Sequence, residues 1–136
     1  MNKKFFIAWI VVFVVWVLGS FVVHGVLLHD DYSQLPNLMR TEADANSLRP
    51  LMFLAELSMA GAFVWIYSRG VEPKPWLAQG MRFGVAVALL LMPMFLIYYV
   101  VQPTPGALAV KQMVFEGILV IILGAVAAFF YKQPSA

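Results

Sequence analysis

The chain has 136 residues, of which 62% are hydrophobic and only 12% charged, with a mean hydropathy of +0.85. A water-soluble domain carries about one quarter charged residues, and its core cannot hide this much apolar surface. With no cysteine, the chain offers no disulfide and no thiolate for zinc, an iron–sulfur cluster or nucleophilic catalysis. A net charge of +2 without any basic run argues against nucleic acid as a partner.

Four stretches are long and apolar enough to cross a hydrocarbon core about 30 Å thick, which takes about 20 residues of helix. They predict an all-α fold, a transmembrane four-helix bundle running up-down-up-down. Residues 1–136 form a single integral membrane domain, with spans over about 5–28, 51–68, 81–101 and 108–131 and an outer loop over 29–50. Lys3 and Lys4 before the first span also suit a signal peptide, but an h-region has only about 7–15 residues and the run here is longer. It is therefore expected to be an uncleaved helix.

Lys3, Lys4, Arg69, Lys74, Arg82 and Lys132 fall on the side of the termini, against Arg40, Arg49 and Lys111 on the other. By the positive-inside rule both termini are expected in the cytoplasm. The loop over 29–50 then faces outward, with one short helix expected after Pro36 whose Leu38 and Met39 turn toward lipid or protein. Pro50 is placed at the opening of the second span. Pro73 and Pro75 hold the cytoplasmic turn, and Pro103 and Pro105 the outer one. Pro93 lies inside the third span, removes a backbone hydrogen bond and predicts a kink.

Helices in lipid associate through small residues and a few polar contacts. Gly80, Gly84 and Ala88 mark such a face on the third span, Ser58 and Ala62 on the second, Gly124 and Ala128 on the fourth. The run Gly61–Arg69 also has a loose likeness to Gly124–Lys132, as two copies of one hairpin would.

Ionisable groups inside a span cost about 2.5–3.5 kcal/mol each on insertion scales, so they are where function is sought first. His24, Glu56 and Glu116 fall at comparable depth in the outer leaflet. Trp9, Phe13, Trp16, Ser20 and His24 form one stripe of the first helix; Glu56, Ala60, Phe63 and Tyr67 form one of the second. The three polar groups can converge. One reading is interhelical packing, with the hydrogen bonds fixing helix register. A second is a metal site of His24, Glu56 and Glu116 with His29, or Asp30, from the adjoining loop. A third is a proton or quinol site near Tyr98 and Tyr99. A haem would need a Met or a partner chain for its second axial ligand, since His24 and His29 lie on different faces. His29-Asp30-Asp31 also reads as a solvated helix cap.

Tyr67-Ser68-Arg69-Gly70-Val71-Glu72 through Gln79-Gly80-Met81-Arg82-Phe83-Gly84, then Gln102-Pro103-Thr104-Pro105-Gly106, with His24-Gly25-Val26-Leu27-Leu28, resemble an uncharacterised family of small four-helix bacterial integral membrane proteins. The resemblance implies a multi-pass protein of the bacterial inner membrane and carries no activity, cofactor or catalytic residue. Sparse polarity and the lack of a soluble domain favour a non-enzymatic accessory subunit. Its partners would be the lipid bilayer and other integral membrane subunits or a second copy. The alternative is a small protein binding a metal, haem or quinol at the outer-leaflet cluster. An oligomeric transporter or channel comes last, because the cytoplasmic halves of the spans are too apolar to line a path.

Overall fold

A computed structural model describes residues 2–132, and these are helical with no strand among them. Helix α1 (Lys3–Ser20) continues without interruption into a π-helical segment (Phe21–Leu27), followed by a short α2 (His29–Ser33). Then come α3 (Glu42–Arg69), α4 (Trp76–Leu91), α5 (Met94–Val101) and α6 (Gly106–Tyr131). Among the described residues, four helical stretches are long and apolar enough to cross a membrane: Lys3–Leu27, Glu42–Arg69, Trp76–Val101 and Gly106–Tyr131.

Local chemistry sets the ends. The Asn2 side chain accepts from the Phe5 amide at 3.1 Å and Thr41 accepts from the Asp44 amide at 3.3 Å, so two orphan amides at the starts of α1 and α3 are satisfied. Pro75 and Pro105 stand immediately before α4 and α6, where a missing amide proton costs nothing. At Pro93 the third span breaks into α4 and α5, and a turn replaces the regular ladder.

The outer segment differs from expectation in two ways. The short helix precedes Pro36, and residues 36–39 form a turn. Helix α3 begins at Glu42 rather than at Leu51, so Pro50 sits inside it. Its first two turns carry Asp44, Ser47 and Arg49, which are exposed and polar, and there the backbone carbonyl that Pro50 leaves without a donor can turn to other partners.

The core runs through the middle of the bundle. Ala8, Val12 and Trp16 of α1 meet Ala60, Phe63 and Val64 of α3 and Leu119, Val120, Leu123 and Ala127 of α6. The closest approach is between α4 and α6. A Cβ on Gly84 would stand 2.6 Å from the Ile121 Cα, and one on Gly124 would collide with the Gly80 carbonyl. Close backbone contact of this kind is how helices gain dispersion energy where lipid removes the hydrophobic drive. Between α3 and α4, aromatic side chains fill the gap. Phe83 lies edge-on to Phe63 and Tyr67 at 4.7 and 5.3 Å, and the Tyr67 hydroxyl donates to Gln79 at 3.1 Å.

Gly61 and Gly124 play different parts despite the sequence likeness around them. Gly61 makes room for the Trp9 indole, whose Nε1 donates to the Leu57 carbonyl at 2.8 Å, whereas Gly124 meets backbone.

Candidate functional site

The π-helical segment holds His24 where neighbouring elements can reach both ring nitrogens. The Leu28 amide bonds to the Val23 carbonyl at 2.9 Å, one residue beyond α-helical spacing, and the buried Leu28 anchors the widened turn. Such turns are rare and persist where other contacts over-determine them, frequently at functional sites. Here those contacts are polar. His24 Nδ1 lies 2.6 Å from the Tyr32 hydroxyl, and Nε2 lies 2.8 Å from Glu116 Oε1. Gln112, one turn before Glu116 on α6, donates its amide to the Tyr32 hydroxyl at 3.0 Å.

These partners define a direction. With Gln112 donating to the Tyr32 oxygen, the phenol proton is free to go to His24 Nδ1. The imidazole then carries its own proton on Nε2 and gives it to the Glu116 carboxylate. Every donor in the chain Gln112, Tyr32, His24, Glu116 meets an acceptor. Burial pushes the Tyr32 phenol above its ordinary value, the Gln112 bond opposes this, and the charges of Glu116 and Asp31 add to the rise. The phenol thus keeps its proton throughout the neutral range.

A cavity of about 810 Å³ opens beside this chain. One wall is Ser20, Phe21, His24 and His29; another is Arg49, Met52, Phe53 and Glu56 of α3; Leu38 and Met39 of the 36–39 turn cover it, and Gln112 closes the α6 side. The volume is that of a small-molecule pocket, and the walls are mostly apolar with a few convergent polar groups.

Glu56 is the unusual wall residue. It is 9% exposed, and its Oε2 is buried without a hydrogen-bond partner among the described residues. Such an orphan costs about 1–3 kcal/mol, more if charged. The Ser20 hydroxyl stands beside the same carboxyl group. Glu116 is equally buried at 8% but is satisfied by His24.

Neither a protein-family model, nor a curated protein, nor a solved structure matches the chain. Its chemistry alone defines the site.

The structure gathers His24, Glu56 and His29 on one cavity and joins Glu116 to it through His24. Among the described residues, no three His, Asp or Glu side chains form a group able to hold a metal ion. Asp31 is engaged elsewhere: Lys111 on α6 donates to both its oxygens at 2.8 and 3.0 Å, which ties α2 down beside the cavity. Tyr98 and Tyr99 lie exposed on α5 and do not line the cavity. Tyr32 and Gln112 fill the hydrogen-bonding role instead. Sequence reasoning passed over both, because a tyrosine in an acidic loop and a glutamine near a span end carry no signal without the partner that receives them.

Among the small residues, Gly80, Gly84 and Ala88 are buried on α4, and Gly124 and Ala128 on α6 face them. Ser58 and Ala62 are exposed on α3.

Proposed function

We propose that this chain is a non-enzymatic membrane protein that binds a lipophilic molecule with a hydroxylated head, of the quinol type, in the cavity beside His24. One observation carries the reading: Glu56, whose buried Oε2 has no hydrogen-bond partner among the described residues, lines a cavity with apolar walls. A ligand hydroxyl that meets the carboxyl group once the side chain turns toward the cavity would satisfy that oxygen. Arg49 on the same wall would repel an ammonium head, which favours a neutral donor. On the facing wall the His24 chain offers a second polar post, suiting a head with oxygens at both ends, while Phe21, Met52 and Phe53 would receive a ring and the start of a tail.

The membrane setting belongs to the same proposal. The spans run up-down-up-down in a bacterial inner membrane with both termini in the cytoplasm. Supporting this are the six cations on the side of the termini against three on the other, and the facing of Gly80 with Gly124 and Gly84 with Ile121, in reversed order along the two helices. The cavity then opens in the outer leaflet.

Binding of a short-chain alkyl hydroquinone to the purified protein in detergent tests the reading. Saturable binding that falls at least tenfold in Glu56→Ala is expected. Absence of binding, or equal binding by Glu56→Ala, overturns it.

A second reading is an accessory subunit of a larger membrane complex. It is favoured by Ser58 and Ala62, a small-residue pair left facing outward on α3, and by α5, none of whose residues is buried. Gentle extraction and native mass spectrometry would show a stoichiometric assembly if it holds and a solitary chain if it does not.

A further inference from the structure

The start of α1 and the ends of α3 and α6 meet at the other end of the bundle, about 30 Å along α1 from His24 at helical rise. Between them lies a cleft of about 300 Å³ lined by Asn2, Phe5, Trp65, Ser68, Arg69 and Tyr131.

On the cavity side, Lys111 is paired with Asp31 and Arg40 with Asp44, while Arg49 donates only to the neutral Asn46. Around the cleft no such pairing occurs among the described residues. The Arg69 guanidinium lies 5.4 Å over the Trp65 ring, the Lys4 ammonium 5.7 Å from the Tyr131 ring and the Lys132 ammonium 4.0 Å from the Phe129 ring. Ring contacts orient a cation but leave its charge uncompensated. The single acid in the neighbouring turn, Glu72, is already bound to Lys74.

We propose that this cleft binds the phosphate of an anionic phospholipid. Arg69 presents a planar fork suited to two phosphate oxygens, held by its contact with the Trp65 ring, and Lys4 adds a second positive charge. The cleft is small enough for one headgroup. Phe6, whose ring centroid lies 5.5 Å from that of the Phe5 wall, and Ile66, next to Trp65, are exposed and apolar, so acyl chains can lie along them. A free phosphate would use the same cations but gain nothing from that surface. The anionic lipid is therefore the ligand, and its site is separate from the cavity at Glu56.

Native mass spectrometry from mixed micelles of phosphatidylglycerol and phosphatidylethanolamine tests the assignment. One phosphatidylglycerol retained per chain is expected, with retention falling at least fivefold in Arg69→Gln and in Lys4→Gln, less in Arg69→Lys, and unchanged in Arg40→Gln at the other end. Equal retention of both lipids, or no effect of Arg69→Gln, overturns the proposal. Displacement of the lipid by millimolar inorganic phosphate overturns the lipid in favour of a free anion. Because Arg69 is exposed, Arg69→Gln is expected to fold, and helical circular dichroism on the same sample checks this.

Discussion

His24 on the π-helical turn and Glu116 on α6, 92 residues apart in sequence, share a 2.8 Å hydrogen bond that joins the first and last spans near one end of the bundle. His24→Ala leaves the Glu116 carboxylate buried without its donor, a loss of about 1–3 kcal/mol. The pair itself is worth less, since polar pairs between membrane helices average about 0.6 kcal/mol and reach about 1.7 kcal/mol. A double-mutant cycle of His24→Ala with Glu116→Leu, read by unfolding in mixed micelles, should return a coupling inside that range. Zero coupling would mean that the two side chains do not depend on each other in the folded protein.

Glu56 is expected to behave in the opposite sense. Because its Oε2 is buried with no partner among the described residues, replacing Glu56 by an apolar residue of similar size removes a penalty. Glu56→Leu should stabilise the ligand-free protein by about 1–3 kcal/mol while abolishing hydroquinone binding. Stabilisation together with lost binding is the mark of a residue kept for a ligand. A destabilised Glu56→Leu would instead show that the carboxylate has a partner within the fold and would remove the main support for the cavity as a binding site.

How much of this was legible in the sequence depends on the kind of information involved. The four apolar runs follow from composition alone, because lipid demands about 20 apolar residues with every backbone group satisfied internally. That His24, Glu56 and Glu116 fall within these apolar helices follows from the same count. Three features do not. The π-helical turn at Phe21–Leu27 has no residue signature and exists through the contacts of His24 and Leu28. Pro50 reads as a helix start by local rule, yet the Thr41 cap and a polar first stretch let α3 begin earlier. Tyr32 depends on where a loop folds back, which only the Lys111–Asp31 pair and the Gln112 bond reveal.

The α4–α6 seam predicts a contrast between two glycines. A methyl group on Gly84 meets the Ile121 Cα at 2.6 Å and the Val120 carbonyl at 2.9 Å, both of them backbone, so neither can step aside. Gly84→Ala should cost about 1–3 kcal/mol through overpacking. On Gly117 the same methyl group meets Met92 at 3.6 Å, an ordinary contact with a flexible side chain. Gly117→Ala should be neutral or stabilising by up to about 1 kcal/mol, since glycine costs entropy inside a helix. Equal effects of the two substitutions would refute the seam.

Tyr32 gives the site a pH dependence on the alkaline side. Its phenol is raised above the ordinary tyrosine value of about 10, first by burial, so the folded chain holds the proton more tightly than the unfolded chain does. This contribution is therefore fully present below about pH 10, where both states are protonated, and it is lost as pH rises from there through the folded value. Ionisation also removes the proton that Tyr32 donates to His24, so the cavity wall loosens in the same window. The stability advantage of the wild type over Tyr32→Phe should therefore hold constant from about pH 7 to about pH 9 and shrink above about pH 10. In a phenolate absorbance titration, the component lost in Tyr32→Phe should ionise later than an exposed tyrosine. An advantage that stays level to the alkaline limit, or that fades below about pH 9, would show that the Tyr32 phenol does not donate its proton to His24.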